Sequence, residues 1–232
     1  MTDISTMQEL EEALFARQDC AYREFQCRLM PTVSPRRVIG VRTPRLRALA
    51  KQLSGSTFAE AFLQQLPHAY YEEDNLHGFL IARIRSFEQC AAALDRFLPY
   101  VDNWATCDGI SPAVFQAHRA QLLDRIDTWL CATDTYTVRF GIRMLMNHFL
   151  DAGFSAEYPR RVASLCGDDY YINMMIAWYF ATALAKQYQA VLPLMEQGAL
   201  SVPVHNKALQ KACESDRIDA GQKKYLKTLR RG

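Results

Sequence analysis

The heptapeptide Asp102-Asn-Trp-Ala-Thr-Cys-Asp108 sets an indole and a carboxylate four residues apart. On a helix this spacing puts Trp104 and Asp108 on one face, ring beside acid. Asp102 can cap the start of such a helix, and Gly109, Ser111 and Pro112 end it. Asp108 then lies in the last turn, where the helix dipole disfavours an anion by roughly 0.3–1 kcal/mol. An acid placed against the dipole, beside an indole, needs another reason to be there. The competing reading is packing, with Trp104 in the core and Asp108 capping a neighbouring element.

Other chemistries find less support. The seven cysteines (20, 27, 90, 107, 131, 166 and 213) form no CxxC pair, and the five histidines are scattered singly. A metal site therefore has no ligand spacing behind it, and neither metal nor cofactor is expected. Reduced thiols fit a cytoplasmic protein best. The N-terminus opens on acidic and polar residues rather than a signal-peptide pattern. The longest apolar stretch, Ile172 to Ala185, is interrupted by Asn173 and is too short to span a bilayer. At 232 residues, half of them apolar, the chain can bury one large core. The expectation is a cytoplasmic monomer with one domain over 1–232 and no membrane association.

The elements that must position the pair are helical. Met7, Leu10, Leu14 and Ala21 mark a first amphipathic stretch, and Pro31 closes the segment that carries Phe25 and Leu29. Thr43-Pro44 has the cap-and-first-turn-proline pattern and predicts a helix to about Gly55. The pattern predicts further helices near 57–66, 70–85, 87–98, 112–131, 134–151, 156–166, 169–186, 188–197, 203–214 and 217–230. No stretch alternates with a period of two. About a dozen helices with short connections predict an all-α fold, an α-solenoid superhelix of HEAT-like repeats with a concave face.

Charge is uneven although the net is only +2. Arg28 to Lys51 holds seven basic residues (Arg28, Arg36, Arg37, Arg42, Arg45, Arg47 and Lys51) and no acid. Pro203 to Gly232 holds eight basic residues against Glu214, Asp216 and Asp219. Basic ends on a concave body could track a phosphate backbone, and solvated terminal helices would read the same way. The acids at Glu72 and Glu73, beside Tyr70 and Tyr71, are accounted for by the dipole at a helix start. Asn75 and His77 receive no role, and Trp129 reads as packing.

Five segments in order resemble the bacterial DNA alkylation repair (AlkD-like) family of HEAT-like-repeat DNA glycosylases. They are Gly40–Lys51 (GVRTPRLRALAK), Asp102–Asp108 (DNWATCD), Val138–Met146 (VRFGIRMLM), Asp169–Trp178 (DYYINMMIAW) and Val204–Lys211 (VHNKALQK). The resemblance implies a superhelix whose concave face holds duplex DNA and an activity that releases N3- and N7-alkylated purines. Under it, Asp108 matches the essential carboxylate, Trp104 the aromatic before it, and Trp178 a second aromatic across the cleft. Arg139 matches an arginine gripping a phosphate near the lesion, and Arg42, Arg45, Lys207 and Lys211 are assigned to further DNA contacts. On residue type alone, Trp178 in its apolar helix reads as core, and Arg139 as a partner for Asp134 or Asp169. Lesion recognition without a deep base pocket is also implied by the resemblance.

The chain departs from the family pattern at three framing positions. Asn103 stands where a bulky aromatic is expected, Val138 where a second arginine is common, and Cys107 where an aliphatic residue precedes the acid. These departures mark a divergent branch. The alternative function is therefore a non-catalytic paralogue that binds duplex or branched DNA.

Overall fold

The computed structural model describes residues 4–232. Among these the chain is all-helical, with fourteen α-helices, three 3-10 turns and no strand. It divides into two compact units, Met1–His118 and Arg119–Gly232. No helix of the described residues is long and apolar enough to cross a membrane.

The first unit carries α1 (Met7–Phe15), α2 (Cys20–Leu29), α3 (Thr43–Leu53), α4 (Thr57–Phe62), α5 (Tyr71–Ile81), α6 (Phe87–Phe97) and α7 (Trp104–Gly109). Their starts follow from short polar side chains that accept orphan amides. Thr6 and Glu9 form a capping box on α1, Asp19 caps α2, and Ser56 and Ser86 cap α4 and α6. At α3 Arg42, not Thr43, takes the cap position with no side-chain cap bond, and Pro44 sits in the first turn. A proline there lacks only an N–H that would have been orphaned anyway.

All eleven residues of α5 are buried, and it packs against α3, α6 and α7. Leu76, Phe79, Leu80 and Ile81 each gain roughly 1.5–3 kcal/mol from burial, which offsets the cost of taking three acids into the same helix. The acids do stand in the first turn of α5, as the dipole reading expects, and they are buried there: Glu72, Glu73 and Asp74 are at most 3% exposed. Backbone amides hold Glu72 and Glu73 inside, and Arg37 holds Asp74.

The second unit carries α8 (Arg119–Leu130), α9 (Thr135–His148), α10 (Glu157–Ser164), α11 (Tyr170–Lys186), α12 (Tyr188–Glu196), α13 (Val202–Glu214) and α14 (Ala220–Thr228). Helix α11 is central, packing against α9, α10, α12 and α13, while α8 packs on α9. Asp169 caps α11 by accepting the Tyr171 and Ile172 amides at 2.8 and 3.0 Å. Gly141 lets α8 approach α9 closely, since a Cβ there would lie 3.0 Å from Leu130 and 3.2 Å from Trp129. Trp129 is core, edge-on to Phe140 at 5.0 Å. The helix predicted over 112–131 starts only at Arg119. Ala117 and His118 donate to the carbonyls of Val114 and Phe115, a three-residue closure that tightens the turn instead of propagating an α-helix.

Candidate functional site

Helix α7 has the length and end that the heptapeptide predicts, with Asp108 in its last turn. Its cap differs from the expectation. Asn103, not Asp102, accepts the Thr106 amide at 2.8 Å, and its Nδ2 donates to Thr106 Oγ1 at 3.0 Å and to Asp102 Oδ1 at 2.9 Å. Asp102 is engaged by Arg37, whose other terminal nitrogen donates to Asp74 at 2.8 Å. Asn103, one of the departures from the family pattern, is thus a buried cap, 1% exposed. The other two, Cys107 and Val138, are core residues.

Trp104 is half-buried against Met30, Val33, Val38 and Tyr71, and its Nε1 donates to the Leu29 carbonyl at 3.3 Å. That bond fixes the plane of the ring. Asp108 is also half-buried. At the end of α7, Arg47 donates to the Gly109 carbonyl at 3.1 Å, with its guanidinium 4.2 Å from the centre of the Phe79 ring. A cation at this terminus answers the exposed carbonyls of the last turn, so the helix keeps an acid where the dipole opposes one.

The buried acids of α5 set the frame around this helix. Glu72 accepts the amides of Ile39, Gly40 and Val41 at 2.9, 2.6 and 3.1 Å, pinning the bend that leads into α3. Gly40 is needed in that bend: its φ is +100°, and a Cβ would lie 2.6 Å from Arg23 Cβ and 2.7 Å from the Asp19 carbonyl oxygen. Glu73 accepts the Ala69 and Tyr70 amides at 3.0 and 2.9 Å. Burial pushes the Asp74 carboxyl up to about 8, with Arg37 pulling the other way. Deeper in the unit, His68 Nε2 and His77 Nδ1 are 2.8 Å apart, and the pair is stacked between Phe62 and Phe97. Burial holds His68 down at about 4 and His77 at about 3, so both rings are neutral near pH 7.

The basic residues assigned to DNA differ in how committed they are. Arg42 is exposed but held by Asp19 at 2.8 Å and by the Tyr22 ring, 5.0 Å from its guanidinium. Arg45 is exposed and reaches the Arg17 carbonyl at 3.4 Å.

In the second unit Trp178 is 40% exposed on α11, against the core role its apolar helix suggested. It lines a hollow of about 240 Å³ together with Thr182, Lys211, Glu214 and Arg217. Trp178 and Lys211, assigned separately from the sequence, are therefore brought to one surface. Lys207 is half-buried, with its Nζ 3.2 Å from Gln210 Oε1. Arg139 is 6% exposed and donates to the Tyr171 carbonyl at 2.8 Å.

Sequence reasoning missed Arg37, Arg47 and Glu72, which hold α7 and α3 in place. The arginine-rich stretch carried the only signal for the first two, and it read as phosphate contact. Residues 6–194 match the family model described as DNA alkylation repair enzyme. No curated protein matches the chain.

Proposed function

The chain belongs to the family of DNA alkylation repair enzymes, and within it we propose that the protein is a monofunctional glycosylase for N3- and N7-alkylated purines in duplex DNA. The observation that carries this reading is α7 itself. One short helix presents an indole and a carboxylate together, and Asn103, Arg37 and Arg47 brace both of its ends.

The chemistry needs little more than such a pair. An N3- or N7-alkylated purine is cationic, so its glycosidic bond is weak and the base leaves neutral without a strong general acid. Departure leaves an oxocarbenium-like sugar, which the Asp108 carboxylate stabilises while it orients water toward the anomeric carbon. The new C–O bond replaces the broken C–N bond, and the water proton passes to Asp108 or to solvent. Trp104 and Trp178 contribute about 0.5–2 kcal/mol each to holding positive charge. Arg42, Arg45, Lys207 and Lys211 contact phosphates, and Arg139 is assigned to the backbone near the lesion. The sequence expectation of one HEAT-like superhelix with a concave DNA face belongs to the same proposal.

A second reading, DNA binding without excision, is favoured by Arg139. Its burial and its bond to Tyr171 leave it less available to a phosphate than an exposed arginine would be. Purified protein incubated with methylated duplex DNA separates the two. Free 3-methyladenine or 7-methylguanine above the spontaneous rate supports the glycosylase, and duplex binding with no release supports the second reading.

A further inference from the structure

A groove in the first unit lies outside everything described above. It has a volume of about 700 Å³ and is walled by α4, the end of α5 and α6. Its lining includes the aliphatic side chains of Leu63, Leu80 and Ile84. Three arginines, Arg83, Arg85 and Arg96, stand around it, and Glu60 is the one acid among the described residues that line it. A second hollow of about 420 Å³ continues from it, sharing Arg83, Ile84 and Arg85 and reaching Ala113 and Val114. The result is a track with an apolar floor and a cationic rim.

We propose that this track binds an acidic peptide segment of a partner protein. An extended peptide can set aliphatic side chains on the floor and carboxylates against the guanidinium forks, which match carboxylate geometry two bonds at a time. A nucleic-acid strand fits less well. Strand-binding grooves offer aromatic platforms to the bases, and among the described residues no aromatic side chain lines either hollow. The volume is within the range of specific binding clefts, about 300–1,000 Å³. None of the residues that form the track belongs to α7 or to its braces, so this surface works independently of the proposed excision site.

The test is fluorescence anisotropy with a fluorescein-labelled peptide, Asp-Glu-Leu-Asp-Glu-Leu-Asp-Glu, and its Asn/Gln counterpart as control. The acidic peptide binds saturably and the amide peptide does not. The double variant Arg83→Glu with Arg96→Glu weakens binding by about tenfold or more while duplex-DNA affinity stays unchanged. Glu60→Gln tightens peptide binding, a gain that a misfolded protein does not give. The proposal is overturned by equal binding of both peptides, or by wild-type protein showing no saturation up to about 1 mM. It is equally overturned if the double variant loses affinity for a labelled oligothymidine instead of the peptide.

Discussion

Replacing Glu72 with alanine removes the acceptor for three buried amides at once. Ile39, Gly40 and Val41 donate to its two oxygens at 2.6 to 3.1 Å, and all three bonds are buried. Hydrogen bonds to a charged group contribute about 1.5–3 kcal/mol each, so a plain sum over three gives roughly 5–9 kcal/mol. Two effects reduce this. The variant no longer buries a carboxylate, and the 38–41 bend can relax toward solvent, which brings the expected loss to about 3–5 kcal/mol. That is a large part of a typical total of about 5–15 kcal/mol. Glu72→Gln keeps one oxygen for two of the amides and opposes the third with an N–H, so its cost is smaller, about 1.5–3 kcal/mol. Urea unfolding followed by circular dichroism would show the alanine midpoint lowered by about 1–2 M. Hydrogen exchange at Ile39, Gly40 and Val41 would lose its protection in the same variant. An alanine variant within about 1 kcal/mol of wild type, with those amides still protected, would refute the claim that Glu72 organises the entry to α3.

Three further outcomes are expected. The His68–His77 pair is held neutral by burial, so the unfolded chain binds protons that the folded one refuses. Its stabilisation is complete above the ordinary histidine value of 6.5 and is lost as pH falls toward 4. Relative to His77→Phe, wild-type stability should fall by about 1.4 kcal/mol per pH unit in that window, and parallel pH–stability curves would contradict it. Arg42→Ala with Arg45→Ala should weaken duplex binding across sequences and flatten its salt dependence by about one to two units of slope, at roughly 0.9 for each phosphate no longer neutralised; an unchanged slope removes this segment from the interface. Arg139→Ala should lower thermal stability through the freed Tyr171 carbonyl and weaken DNA binding as well, and full affinity in a destabilised variant would leave Arg139 a structural residue only.

Much of the helical order was legible because the apolar periodicity of α1, α3 and α8 comes from one buried face each. The extent and end of α7 were legible too, since Gly109 and Pro112 punctuate it. Its cap was not. Asp102 and Asn103 are equally good capping types, and only the capture of Asp102 by Arg37, 65 residues earlier, decides between them. The burial of the run Glu72-Glu73-Asp74 was not legible for a related reason. Acids at a helix start satisfy the dipole whether exposed or buried, and the partners of Glu72 and Asp74, the 39–41 amides and Arg37, are distant in sequence. For Trp178, residue type alone pointed to the core, while the resemblance assigned it to the site. Its neighbours in α11 are apolar, yet its own position faces the hollow beside Lys211. Pattern gives the composition of a helix, and one outward residue in a buried helix is visible only once α13 is packed beside it.

The most direct measurement of the central claim is single-turnover release of 7-methylguanine or 3-methyladenine by wild type and by Asp108→Asn, with a duplex-binding isotherm for each. A carboxylate that acts on the charge developed in the transition state affects the chemical step and not ground-state binding. The expected result is loss of excision in Asp108→Asn, with affinity equal to wild type or slightly higher because an anion facing phosphates is gone. Equal base release by the two proteins above the spontaneous rate would contradict the assignment of Asp108, and release by neither above that rate would contradict the glycosylase.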